Sequence, residues 1–365
     1  MNHSLTAAGS MQQMILRRRL ATQRLVGPKM PTATDVVRLL ACVYSRKSAL
    51  MPSGRWACGA PLPPRLRVQA EFDGGRFLGT HVLRPTWHLV PAEDIRWILK
   101  VTSARVQQVN STIYRRENLG PAVLDRGAEL ITQVLRGRRY QTRAEIGQAL
   151  AGEGLLADRL RLAYVIMNAE LEGLICSGPM RGARHTYALL DERVPSDGLN
   201  HGDLPELARR FLAGHGPASA PDFARWASLT SAQARAAVAE VAGELEAVEV
   251  DGVPHWFDPG APGPATFQGA LLLPLFDEVT LSYPLINFPR AEQHPHPPGS
   301  DVYIGSVIIA ETNVGLWRRV VQGQKVIIEV ILSPTVRARS RAAVETAAAE
   351  SAAFLGRRLE LEIQR

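Results

Sequence analysis

Apolar residues recur at helical spacing through Leu160, Ala163, Met167, Leu171 and Leu174, which predicts an amphipathic helix over residues 159–174. A shorter helix over 145–150 precedes it. It is opened by Thr142 and Glu145, a capping-box pair in which each side chain can accept the other's free backbone N–H. Beyond the long helix, residues 175–178 and 185–190 read as two strands joined through Pro179-Met-Arg-Gly-Ala-Arg184. Helix, turn, helix, hairpin is the order of a winged helix. The pattern then repeats. Ser219 and Asp222 cap a helix to residue 229, Thr230 and Gln233 form a second capping box, and a helix runs to about residue 247. A hairpin over 248–257 turns at Asp251-Gly252, a pair suited to the positive φ angles of a type I′ turn. Glu170-Leu-Glu-Gly-Leu174 in one copy echoes Glu244-Leu-Glu-Ala-Val248 in the other.

A larger helical unit covers residues 15–118, with helices over 15–26 and 35–42, a strand over 86–90 and a helix over 91–104 whose first turn holds Pro91. Residues 1–14, polar and small, read as a flexible extension without the apolar core of a signal peptide. A Pro/Gly linker at 260–264 leads to strands over 271–275, 302–309, 314–320 and 325–332, a helix over 338–355 and a strand over 358–362. The expected fold class is therefore α+β. It comprises three tandem winged-helix units (15–118, 125–195 and 203–258) and a β-rich C-terminal α/β region over 265–365.

Composition sharpens the choice of partner. The net charge is +7, and of 42 basic residues only Lys29, Lys47, Lys100 and Lys325 are lysines. Guanidinium forks suit phosphate contacts, so nucleic acid is the natural partner, although GC-rich coding yields the same arginine bias. Cys42, Cys58 and Cys176 are too widely spaced for a zinc motif or a disulfide framework, which points to a reducing cytoplasm. No apolar run reaches the length of a membrane helix. His294-x-His296 lies in a Pro-rich loop without a partner cluster, so neither a metal nor any other cofactor is expected.

Several segments resemble the AlkZ/YcaQ-like DNA glycosylase family. They are Arg19-Leu-Ala-Thr-Gln-Arg-Leu25, His81-Val-Leu-Arg-Pro-Thr-Trp-His-Leu-Val90 with Pro91-Ala-Glu-Asp-Ile-Arg-Trp97, Leu272-Leu-Pro-Leu-Phe-Asp-Glu278, Gly315-Leu-Trp-Arg-Arg319 and Phe354-Leu-Gly356. The resemblance spans about residues 15–362. It implies tandem winged helices around a concave DNA surface, and removal of N7-alkylguanines, some of them in interstrand crosslinks. The implied partner is alkylated or crosslinked double-stranded DNA; no heptad seam or dimer helix is visible, so a monomer is expected. The family's water-orienting Gln-x-Gln or Gln-x-Asp falls here on Tyr44-Ser45-Arg46. Arg46 has no hydrogen-bond acceptor and would repel a sugar becoming cationic, so family-type excision is expected to be impaired. Two origins stay open: true divergence, as in a non-catalytic DNA-binding paralogue, or a pair of compensating frame errors. If Tyr44-Ser45-Arg46-Lys47 is encoded TAC-AGT-CGC-AAG, the shifted frame CAG-TCG-CAA reads Gln-Ser-Gln.

The candidate catalytic positions are thus Tyr44, Arg46 and His88. His88 is weighed against a satisfied core histidine, and the adjacent Asp277-Glu278 pair is read as structural. Candidate DNA contacts are Arg181 and Arg184 on the first repeat's hairpin turn, and Arg318 and Arg319 on opposite faces of a strand. Arg159, Arg161 and Asn168 are expected on the exposed face of the second helix, where Glu170 and Glu172 would oppose phosphate. A small-molecule enzyme on the same scaffold is the remaining functional class.

Overall fold

A computed structural model describes residues 2–44, 64–155, 158–194, 200–295 and 305–364; Ser45, Arg46, Cys58 and His296 lie outside them. The first part holds α1 (Asn2–Thr22), α2 (Ala33–Leu39), β1 (Val43–Tyr44), α3 (Pro64–Asp73), β2 (Phe77–His81), β3 (Trp87–Pro91) and α4 (Ile95–Arg116). Helix α1 starts at Asn2, so most of the expected flexible extension is the first half of a helix. Pro91 does not open a helix: it closes β3 opposite Phe77, and α4 begins at Ile95 and runs beyond residue 104. A buried stripe through Ile98, Thr102, Val106 and Asn110 explains the extra turns, since each gives the helix a covered face.

Next come α5 (Pro121–Leu135), β4 (Gln141–Thr142), α6 (Arg143–Gly152), α7 (Arg159–Leu171), β5 (Ile175–Ser177), β6 (Thr186–Leu189) and α8 (Leu190–Arg193). They are followed by α9 (Leu204–His215), α10 (Ala220–Ala227), α11 (Ser231–Val241), β7 (Glu246–Val250) and β8 (Val253–Phe257). The capping boxes at Thr142, Ser219 and Thr230 are all formed. Asp251 and Gly252 take φ 50° and 76°, as the β7–β8 turn requires. Helix α11 stops at Val241, short of the expected residue 247, because Glu246 and Ala247 already pair with Phe257 and Trp256. Hairpin hydrogen bonds outweigh the helix propensity of an Ala-rich run.

The C-terminal part contains β9 (Ala270–Leu273), α12 (Glu278–Leu281), β10 (Gly305–Ile309), β11 (Thr312–Gln322), β12 (Lys325–Leu332), α13 (Ala338–Leu355) and β13 (Arg358–Gln364). Its sheet has the order β13-β12-β11-β10-β9, antiparallel except for β12 and β13, which α13 joins in parallel. Val326, Ile328, Val330 and Leu332 alternate inward on β12 and pack with Val344, Ala348 and Ala352 of α13. That core extends to Val37, Phe72, Phe77 and Leu89, so this sheet packs on the first part of the chain.

A small antiparallel sheet, β1-β3-β2, positions the candidate site. Its two faces have different neighbours. Leu78 and Val90 join a core with α1, α9 and α10, while Phe77 and Leu89 on the other face join the C-terminal core.

Candidate functional site

Register places Tyr44, His88 and Thr80 opposite one another across β1, β3 and β2, so their side chains share one face. His88 is fully buried, and its Nδ1 lies 2.9 Å from the carbonyl of Thr86. A carbonyl only accepts, so Nδ1 carries the hydrogen. Burial, together with the Arg84 charge, lowers the imidazole pKa to about 3. His88 is therefore neutral, and Nε2 keeps its lone pair, buried and without a hydrogen-bond partner. The Tyr44 ring meets His88 edge-on at 5.6 Å and Phe276 at 4.9 Å.

Behind Tyr44 stands Glu278, 1 % exposed. Its Oε1 accepts the Tyr44 N–H at 2.8 Å, and its Oε2 accepts the Ser282 hydroxyl at 2.9 Å, with His215 Nε2 3.6 Å away. Burial alone would raise this carboxyl. His215 and Arg84 outweigh it and bring the pKa to about 2. Glu278 thus fixes, as a carboxylate, the backbone from which the Tyr44-Ser45-Arg46 segment departs.

Other motif residues explain why Glu278 sits there. Asp277 caps α12 by accepting the Val279 N–H at 3.1 Å, which places Glu278 at the first helical position. Trp317 donates Nε1–H to the Leu273 carbonyl at 2.8 Å, at the foot of the 274–278 turn. Gly315 has no alternative, because a Cβ there would stand 2.3 Å from the Ile331 carbonyl oxygen. From the N-terminal side, Gln23 donates to the Tyr283 hydroxyl at 2.8 Å. Arg19 lies 3.5 Å over the Tyr283 ring, and its guanidinium also reaches Pro217 O, Ile286 O and Asp222. Both ends of the α12 segment are held by residues far away in sequence.

Of the sequence-derived candidates, Tyr44 and His88 come together, while Arg46 falls outside the described residues. Arg181 and Arg184 are exposed on their turn and paired through the backbone. Arg181 binds Glu145 Oε1 at 2.6 Å and the Tyr140 carbonyl, beside an open cavity of about 390 Å³ that Arg139 and Thr186 also line. This turn is anchored by Met180 N–H on Asp73 and by His185 against Trp87. Trp87 alternates with His88, so the turn packs on the opposite face of the small sheet.

Arg159 is exposed and Arg161 half-buried at the start of α7. Asn168 is buried against Gln107, which corrects its expected place on an open face. Glu170 is also fully buried and does not oppose phosphate: it accepts from Trp87 Nε1 at 2.7 Å and pairs with His81. Arg318 is ion-paired to its cross-strand neighbour Glu329 at 2.5 Å. Arg319 is half-buried, and burial with the nearby Arg65 charge lowers its pKa. Glu278, Arg84 and His215 were not singled out by sequence as site residues. Glu278 and Arg84 stand inside the quoted motifs, whereas nothing local marks His215. Among the described residues no group of three His, Cys, Asp or Glu could hold a metal ion, and no helix is long and apolar enough to cross a membrane.

Comparison with known proteins bears on this arrangement. The model of the DNA glycosylase AlkZ-like family matches residues 61–354. An interstrand DNA cross-link repair glycosylase of Streptomyces sahachiroi is 26 % identical over 284 residues, covering 72 % of this chain and 75 % of the relative. The solved structure of Streptomyces sahachiroi DNA glycosylase AlkZ superimposes with a TM-score of 0.72 at 23 % identity, covering 97 % of this chain and 99 % of that one. That likeness establishes a shared fold, and the family match spans most of the sequence. The chain belongs to the AlkZ-like DNA glycosylase family.

Proposed function

We propose that this protein binds alkylated or crosslinked duplex DNA and hydrolyses the N-glycosidic bond of N7-alkylated purines, at a rate held low by Tyr44-Ser45-Arg46. One observation carries the reading: three segments distant in sequence meet at Tyr44. Its N–H rests on Glu278 of the 272–278 motif, and its ring rests on His88 of the 81–90 motif. In this reading residues 15–118, 125–195 and 203–258 are winged helices, residues 265–365 form the β-rich region, and the protein acts as a cytoplasmic monomer.

The chemistry asks little of the protein. An N7-alkylpurine is already cationic and departs as a neutral base without a general acid. What remains is to place a water and to stabilise the oxocarbenium-like sugar. Neutral His88, with its Nε2 lone pair, suits the first task. Arg46 opposes the second, because a guanidinium beside a sugar becoming cationic raises the barrier.

Phosphate contacts are assigned to Arg181, Arg184, Arg318, Arg319, Arg159 and Arg161. Arg181 and Arg318 would exchange Glu145 and Glu329 for phosphate on binding. Duplex affinity measured against salt tests the DNA-binding half. Each phosphate contact adds about 0.9 to the slope of log affinity on log salt, so the affinity should fall steeply. Affinity that stays flat from low to moderate salt would overturn it.

A further inference from the structure

Arg84 is the arginine among the described residues with two buried guanidinium nitrogens, Nε and Nη2, that lack any hydrogen-bond partner. These two nitrogens form one edge of the planar fork, the edge that grips a two-oxygen anion. Elsewhere in this protein the same edge meets an anion: Arg318 turns Nε and Nη2 onto one oxygen, Oε2, of Glu329 at 2.8 and 2.5 Å. Arg19, the fully buried arginine, has every nitrogen paired. Other arginines, Arg193 among them, leave a single buried guanidinium nitrogen unpaired, whereas Arg84 leaves both nitrogens of this edge unpaired.

The backbone around Arg84 is held for presentation. Leu83, completely buried, takes φ 60°, a conformation rare for a bulky side chain, and the Arg84 N–H closes a three-residue turn onto the Val82 carbonyl. The Thr86 N–H closes a second such turn onto the Arg84 carbonyl, and the buried Thr86 hydroxyl also lacks a partner. The guanidinium carbon stands 6.0 Å from the centre of the Tyr44 ring. The buried carboxylate of Glu278 has both oxygens engaged by Tyr44 and Ser282.

We propose that Arg84 is a positioning residue that takes a phosphodiester of the damaged strand on its Nε–Nη2 edge and so registers the sugar against Tyr44 and His88. The proposal rests on the reading that DNA enters at Tyr44 and His88. Two unpaired donors on a cation are costly to bury, and an incoming anion with two free oxygens satisfies both at once.

The probe is a duplex carrying a tetrahydrofuran abasic analogue, with neutral methylphosphonate linkages placed one at a time around it. Wild-type protein should lose about 10-fold in affinity at one flanking linkage, as expected for a single charge-assisted bond. Arg84→Gln should be insensitive at that linkage, and its salt slope should be smaller by about 0.9. Arg84→Lys keeps the positive charge beside Glu278 without the two-nitrogen edge, so it serves as the folding control: it should lose sensitivity at that linkage as Arg84→Gln does. Equal linkage sensitivity and an unchanged salt slope in Arg84→Gln, or full linkage sensitivity in Arg84→Lys, would overturn the proposal. Failure of the wild type to bind any duplex would instead remove the DNA-binding reading, and Arg84's role with it.

Discussion

Replacing Glu278 with Gln keeps the shape of the side chain and removes its charge, which isolates what the carboxylate contributes. In the folded protein it accepts from the Tyr44 N–H and the Ser282 hydroxyl, and its pKa is about 2 against an ordinary 4.5. That difference corresponds to about 3 kcal/mol of preference for the ionised form in the folded state. The sign follows from the depressed value. The stabilisation is fully present above the unfolded pKa near 4.5 and is lost as pH falls toward 2. Glu278→Gln should therefore unfold more easily in urea at pH 7, by about 3 kcal/mol, and its stability should vary less between pH 4.5 and pH 2 than that of wild type. Tryptophan fluorescence followed in urea at several pH values reads both effects. A variant with wild-type stability at pH 7 and an unchanged acid limb would refute the assignment of Glu278 as a buried, ionised anchor of Tyr44.

Two further substitutions probe the surroundings. Arg181→Ala with Arg184→Ala should weaken duplex binding while changing stability by no more than about 0.5 kcal/mol, because both side chains are exposed; unchanged affinity in a filter-binding titration would place this turn away from DNA. Gly315→Ala puts a Cβ 2.3 Å from the Ile331 carbonyl oxygen and should cost about 1–3 kcal/mol, seen as a lower thermal midpoint; an unaltered midpoint would show that β11 and β12 can separate there at little cost.

The repeated capping boxes and the Asp251-Gly252 turn were legible because they are local: each needs only a few consecutive side chains and backbone groups. The C-terminal strands and α13 were legible for a related reason, since alternation and helical spacing match burial there. Legibility ended where long-range pairing decided the outcome. Pro91 joined a strand because Phe77 lies opposite, and Ala247 left its helix because Trp256 does. Glu170 and Asn168 read as surface residues from their helix position, yet α4 and the small sheet cover them. The site itself was half visible. Motif position pointed to Tyr44 and His88, but the tie from Tyr44 to Glu278 spans 234 residues and leaves no local trace. Arg84 stood inside a quoted motif, and only its unpaired nitrogens distinguish it from a surface arginine.

Single-turnover release of N7-methylguanine from a duplex, by the wild type and by a Tyr44→Gln, Arg46→Gln double variant, tests the central claim most directly. The coding sequence of residues 43–68 should be read first, because it decides whether Gln-Ser-Gln lies in a shifted frame. Slow release by the wild type is expected, and release faster by about 100-fold or more in the variant, the size of one electrostatic contact to a developing charge. Rapid release by the unmodified chain would contradict it, and so would a variant no faster than wild type.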